Sequence, residues 1–237
     1  MGTTRRALSA VLAGIVVVGL MASTATAGQR ARTEPKAWHG TAQLTLVHGI
    51  DGDQGFPVDI SVYRLFVGSQ RFNGVTYGTV AGPLEQQAGI YRVAVRAAGA
   101  DPYSEPILKR WIWLGPGANK SVVAHLSADG TPTLSVYRND VSETGSGARV
   151  TVRHNAAVGP VNVRADGPRV ITRLANPDEA VLDIPATTLR IKVRLAGTGP
   201  TVFHAPVAFA ERTNTIIYAT LDASGAFTPL LQVLPTA

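Results

Sequence analysis

The chain has 237 residues, 45% of them hydrophobic and 16% charged, which is a core-building composition with room for one large domain or two of about 100 residues. It contains no cysteine, so disulfides, thiolate metal sites, a cysteine nucleophile and a lipid-bearing cysteine are all excluded. The formal charge of +6 falls to +4 once Arg5 and Arg6 of the N-terminal segment are set aside. The remaining cations are spread along the chain, the densest groups being Arg30 with Arg32 and Lys36, the Lys109–Arg110 pair, and the Arg190–Lys192–Arg194 alternation. Such a spread predicts solubility and weak attraction to anionic surfaces rather than sequence-specific nucleic-acid readout.

Residues 1–27 read as a signal peptide. Thr4, Arg5 and Arg6 precede an apolar run over residues 7–21, and Ala25-Thr26-Ala27 presents small side chains where a signal peptidase cuts. That run is shorter than the about 20 residues a membrane span needs, so the expectation is cleavage before Gly28, no transmembrane anchor afterwards, and a secreted or envelope-associated product. The twin arginines leave the export route open, because Ser9 stands where an apolar residue is preferred. Residues 28–37 have no apolar periodicity and read as a disordered tail.

The remainder is built twice. Ala42-Gln43-Leu44-Thr45-Leu46-Val47-His48 aligns without gaps to Ala148-Arg149-Val150-Thr151-Val152-Arg153-His154, and Pro57-Val58-Asp59-Ile60 aligns to Pro160-Val161-Asn162-Val163. Residues 91–99 align to 189–197, and 119–130 to 214–225, in the same order. Each block alternates apolar and polar residues with period two, and Gly and Pro punctuate the gaps. The predicted fold class is therefore all-β: two tandem antiparallel β-sandwich domains over residues 38–141 and 148–237, joined by a linker at 142–147. Leu44, Leu46, Val58, Ile60, Val93 and Val95 should be buried in the first, and Val150, Val152, Val161, Val163, Ile191 and Val193 in the second.

Arg153-His154-Asn155-Ala156-Ala157, followed by Pro160-Val161-Asn162-Val163 and Asp166-Gly167, resembles the opening of the bacterial exported "domain of unknown function 4397" family. Tyr77-Gly78 and residues 88–95 resemble its middle segment, and Ala98-Gly99 the turn that follows. The second copy departs from the pattern, with Leu189 in place of the middle Tyr and Pro185-Ala186-Thr187 in place of the Ala-Gly turn. The resemblance implies two tandem copies of an immunoglobulin-like sandwich in a cell-envelope or extracellular setting, and it implies no reaction.

Few residues nominate chemistry. His48 and His154 occupy equivalent positions on the core-facing side of their strands, and a hydrogen bond to the neighbouring turn outweighs a metal or catalytic role because no second ligand repeats beside both. Asp51-Gly52-Asp53-Gln54-Gly55 reads as a turn rather than a calcium loop, since Val62 stands where a bidentate Glu is needed. Gly115-Pro116-Gly117-Ala118-Asn119-Lys120-Ser121 has the wrong glycine spacing for a phosphate loop and reads as a hairpin. No nucleophile elbow or zincin pair is present; Asp101, Glu105, Asp178 and Glu179 cluster near turns without nominating a glycosidase pair. No cofactor is expected.

Lys109-Arg110-Trp111-Ile112-Trp113-Leu114 carries the sharpest signal. On a strand both tryptophans share one face, and the repeat alignment pairs Ile112 and Leu114 with Val207 and Phe209, which puts those two in the core and the rings outside. Outward rings would either pack on the second domain, the favoured reading, or form a ligand platform suited to sugar rings, with Lys109 and Arg110 adding attraction for acidic polymers. A bulge that inverts the alternation would instead fill the core with both rings. The function expected is a non-catalytic exported module contacting an envelope polysaccharide or another extracellular protein. The alternatives are a hydrolase of an envelope polymer and a weak polyanion binder, the latter separable by its sensitivity to salt.

Overall fold

The computed structural model describes residues 40–52, 55–197 and 199–237. The signal peptide, the tail and the cleavage site expected from the sequence lie outside the described residues.

Eight strands form the first half: β1 (Thr41–His48), β2 (Val58–Arg64), β3 (Gly68–Val75), β4 (Val80–Gln87), β5 (Gly89–Ala97), β6 (Leu108–Leu114), β7 (Asn119–Leu126) and β8 (Pro132–Arg138). Eight more form the second: β9 (Gly147–His154), β10 (Val161–Ala165), β11 (Arg169–Leu174), β12 (Glu179–Pro185), β13 (Thr188–Leu195), β14 (Thr201–Ala208), β15 (Thr213–Leu221) and β16 (Phe227–Pro235). The first half orders its sheets β4-β1-β7-β8 and β3-β2-β5-β6, and the second repeats them as β12-β9-β15-β16 and β11-β10-β13-β14. The fold is all-β, two sandwich-like halves of four strands facing four.

Two expectations are corrected. The sheets are not wholly antiparallel: β1 runs parallel to β7, and β9 to β15. Nor is the 115–121 segment a hairpin, because β6 pairs with β5 while β7 pairs with β1 and β8 in the opposite sheet. The chain arches there from one sheet to the other, and such a crossover is what brings two strands of one sheet into parallel alignment.

Alternation fills each interior as the pattern predicts. Leu44, Leu46, Val58, Ile60, Val93 and Val95 meet Ile112, Leu114 and Leu134 in the first core. Val150, Val152, Val161, Val163 and Val193 join Phe209 in the second, where Ile191 is only half-buried. Each fully buried aliphatic side chain of this kind stabilises the fold by about 1.5–3 kcal/mol.

A third apolar cluster lies between the halves. Val47, Val123 and Tyr137 pack against Ile216, Tyr218, Leu230 and Leu234, so the outer face of β4-β1-β7-β8 covers the outer face of β12-β9-β15-β16. Polar residues are threaded through it. Gln232 Nε2 donates to Thr45 Oγ1 (2.7 Å), and the Tyr218 hydroxyl donates to Gln232 Oε1 (2.6 Å) and lies 2.8 Å from Ser121 Oγ. The fully buried Arg153 guanidinium donates to Glu179 Oε2 (2.9 Å), to Asn139 Oδ1 (2.9 Å) and to the Tyr218 hydroxyl (3.1 Å). The connecting segment is tied to this region: Arg149 donates to the Ser142 carbonyl at 3.1 Å, and the Thr144 and Thr236 hydroxyls are 2.8 Å apart.

Candidate functional site

The outer face of β3-β2-β5-β6 packs on no other sheet of the described chain and carries both tryptophans of the described residues. Ile112 and Leu114 are buried at 5% and 0% exposure, while Trp111 and Trp113 are each 56% exposed. No bulge interrupts the β5–β6 register, so the rings stand outward. The domain-packing role is corrected: the contact between the halves uses the other sheet of each sandwich, and neither tryptophan enters it.

The cross-strand register defines what surrounds the rings. Trp111 lies opposite Arg92, and Arg92 opposite Tyr63, in one row across β6, β5 and β2. The Arg92 guanidinium sits 4.8 Å from the Tyr63 ring centroid and 5.8 Å from that of Trp111, a cation held against two π faces. In the next row Trp113 lies opposite Ile90, whose carbonyl accepts from the Leu65 amide at 3.0 Å. The turn that follows lifts Phe66 to 97% exposure at φ 64°, a conformation unusual for a bulky residue. Trp113 folds back along its own strand, with its six-membered ring over Gly115, where an added Cβ would meet ring carbons at 3.0 and 3.1 Å.

The cations differ from expectation. Lys109 shares the outward parity, but its ammonium is engaged by Glu105 at 2.6 Å. Arg110 has the inward parity of Ile112 and is exposed only because β6 is an edge strand. The cation on the aromatic face is Arg92, which sequence reasoning missed. Alternation around Tyr91 places it outward, but only the pairing register reveals it as the neighbour of Trp111.

Both paired histidines are buried. His154 Nε2 donates to the Gly159 carbonyl at 3.2 Å, the turn contact expected, whereas among the described residues the ring nitrogens of His48 make no hydrogen bond of good geometry, the Phe56 backbone being the polar group beside the ring. Burial holds both below the usual histidine range. Among the carboxylates weighed for hydrolysis, Glu105 is held by Lys109, Asp101 by the Tyr103 amide (2.8 Å) and Glu179 by Arg153. Asp51 accepts from the amides of Gly52 and Ala223, each within 2.9 Å, which ties the first half to the second.

Fold and face together define an all-β protein of two sandwich-like halves, one of them presenting an open aromatic surface. The chain belongs to the family described as "Domain of unknown function (DUF4397)", whose model matches residues 42–164. No curated protein matches the sequence. Among solved structures it is similar to a "putative cell adhesion protein" from Bacteroides uniformis, with 12% identity over 84% of this chain and 98% of that one and a TM-score of 0.28. It is also similar to a protein of the same description from Bacteroides ovatus (9% identity, 84% and 99% covered, TM-score 0.27). The Bacillus anthracis TIE protein is similar at 10% identity over 77% of this chain and 34% of that one, with a TM-score of 0.26.

Proposed function

We propose that the protein is a non-catalytic binding module, secreted or held at the cell envelope, that takes an envelope polysaccharide on the outer face of β3-β2-β5-β6. The observation that carries the reading is the outward pair Trp111 and Trp113, two large rings on adjacent same-face positions of one strand, each more than half exposed. Rings left in water at that cost suit stacking on the apolar faces of sugars. Arg92, fixed between Tyr63 and Trp111, adds a preorganised donor for a carboxylate or hydroxyl of the polymer. The exposed Leu65 and Phe66 extend the surface past Ile90. In this reading both halves are copies of the family domain with an immunoglobulin-like layout, the second diverged; the repeated strand order supports it.

The test is retention on immobilised envelope polysaccharide and on peptidoglycan, with the supernatant assayed for released fragments. The protein should be retained and release nothing, and the double variant Trp111→Ala with Trp113→Ala should lose retention while keeping its unfolding midpoint. Retention equal in the double variant would sink the platform. Accumulating fragments would make the protein a hydrolase instead.

A further inference from the structure

The two halves differ at one edge. In the first, β6 and β8 close on each other, and Ile112, Leu114 and Leu134 are sealed inside. Their counterparts β14 and β16 do not meet to the same extent, and between them opens a cavity of about 390 Å³. Every residue lining it is Val, Ile, Leu, Phe, Pro or Ala. On β16, Leu230, Gln232 and Leu234 are committed to the contact between halves, which turns Leu231 and Val233 toward the second sandwich, yet these remain 53% and 57% exposed. The Phe203 and Phe227 rings, 6.0 Å apart, bridge the two sheets beside the opening. A volume of this size falls in the roughly 300–1,000 Å³ of small-molecule sites, and an apolar lining of this kind takes apolar guests.

The outer face of the same sheet, beside β14, is cationic. Lys192 on β13 stands directly opposite His204 on β14 and Arg164 on β10, and Arg190 and Arg194 flank it on β13. Like charges placed directly opposite, as Lys192 and Arg164 are, destabilise a sheet. Among the described residues none of these side chains is in an ion pair with a carboxylate, and the nearby Asp166 spends Oδ1 on the Arg190 amide at 2.8 Å. Cavity and cations lie on the two faces of one sheet near its β14 edge. Phe203 and Val207 face in, His204 faces out between them, and Pro206 at the cavity lies opposite Arg190.

We propose that the second sandwich binds an anionic single-chain amphiphile, its acyl chain in the cavity between β14 and β16 and its head group across β14 on Arg190, Lys192 and His204. An apolar wall alone would accept any hydrophobic guest, and a basic face alone any anion. Their apposition at one sheet edge selects a molecule that carries both. This site is separate from the tryptophan face and does not depend on it.

Calorimetric titration of the full chain with dodecanoate, dodecanol, acetate and the dodecyltrimethylammonium cation tests the assignment. Dodecanoate should bind as a monomer at one site and raise the thermal midpoint, acetate should not bind, and the cationic amphiphile should bind at least about tenfold more weakly. Val207→Trp should fill the cavity and abolish dodecanoate binding. Should that variant fail to fold, Leu231→Arg at the exposed mouth gives the same reading without touching the core. Arg190→Gln combined with Lys192→Gln should weaken dodecanoate about tenfold while leaving dodecanol unchanged, and Trp111→Ala with Trp113→Ala should change neither. No dodecanoate binding to the wild type, or undiminished binding to folded Val207→Trp and Leu231→Arg, overturns the proposal. Equal affinity for the anionic and cationic amphiphiles overturns the head-group assignment.

Discussion

At Gly115 the absence of a side chain positions a ring two residues away. A methyl group there would sit 3.0 Å from Trp113, tighter than carbon atoms normally rest, so the indole has to give by a few tenths of an ångström. Gly115 has no positive φ to defend, which makes Gly115→Ala a conservative way to disturb the ring without deleting it. The expected outcome is an unchanged unfolding midpoint, a shifted tryptophan emission maximum, and retention on polysaccharide reduced but not abolished, because Trp111 and Arg92 stay in place. Retention equal to wild type would mean that Trp113's orientation is immaterial to binding. Much of this face was legible beforehand: a period-two pattern over Trp111, Ile112, Trp113 and Leu114 determines which rings point out. What the pattern lacks is the neighbour across the strand. Arg92 lies 19 positions before Trp111 in the chain, and only the β5–β6 register unites them.

At the scale of the element, one device appears twice. The pairing of β2 with β3 shifts register between Val58 and Ile60, and that of β10 with β11 shifts between Val161 and Val163. In each case a polar side chain pins the displaced residue: Asp59 Oδ1 accepts from the Gly74 amide at 2.8 Å, and Asn162 Oδ1 from the Arg173 amide at 2.9 Å. Gly74 and Arg173 both have left-handed φ, 62° and 51°. The polar residue between two apolar ones in each Val-x-Ile/Val block is therefore a bulge clamp. Asp59 takes more load, accepting also from Arg71 (2.7 Å) and the Gly99 amide (3.0 Å), and the Gly74 and Arg71 bonds hold its carboxyl below the usual range. Asp59→Ala should cost roughly 1–3 kcal/mol by stranding buried donors. Asp59→Asn, the second half's own choice, should cost less because it keeps the amide acceptor. Urea unfolding measures both, and equal losses would refute the clamp. The sequence displays the Asp/Asn equivalence but not the bulge, because Gly74 and Arg173 share no chemistry, only a backbone conformation.

For the whole molecule, the deciding contact is the one least visible in the sequence. Thr45, Ser121 and Gln232 sit at alternating polar positions that read as solvent-facing, and each is buried because the two outer sheets cover one another. Arg153 is the clearest instance. It has no exposed surface, stacks on the Tyr137 ring at 4.4 Å and the Tyr218 ring at 5.3 Å, and directs its donors to groups from both halves. A buried charge of this kind costs free energy to desolvate, and its partners are then organised around it. Arg153→Met keeps much of the apolar stem but strands Glu179 and leaves Asn139 and the Tyr218 hydroxyl each short of a donor. Removing one member of such a pair costs roughly 3–5 kcal/mol, and the lower end applies because the Glu179 side chain remains 33% exposed. If the halves are coupled through this network, wild-type protein should unfold in urea in a single transition. Arg153→Met should then separate it into two, the weaker half melting first, with tryptophan emission reporting the first half alone among the described residues. A variant that still unfolds in one transition, with a loss under about 1 kcal/mol, would show that the apolar cluster of Val47, Ile216 and Leu234 couples the halves without help from the arginine.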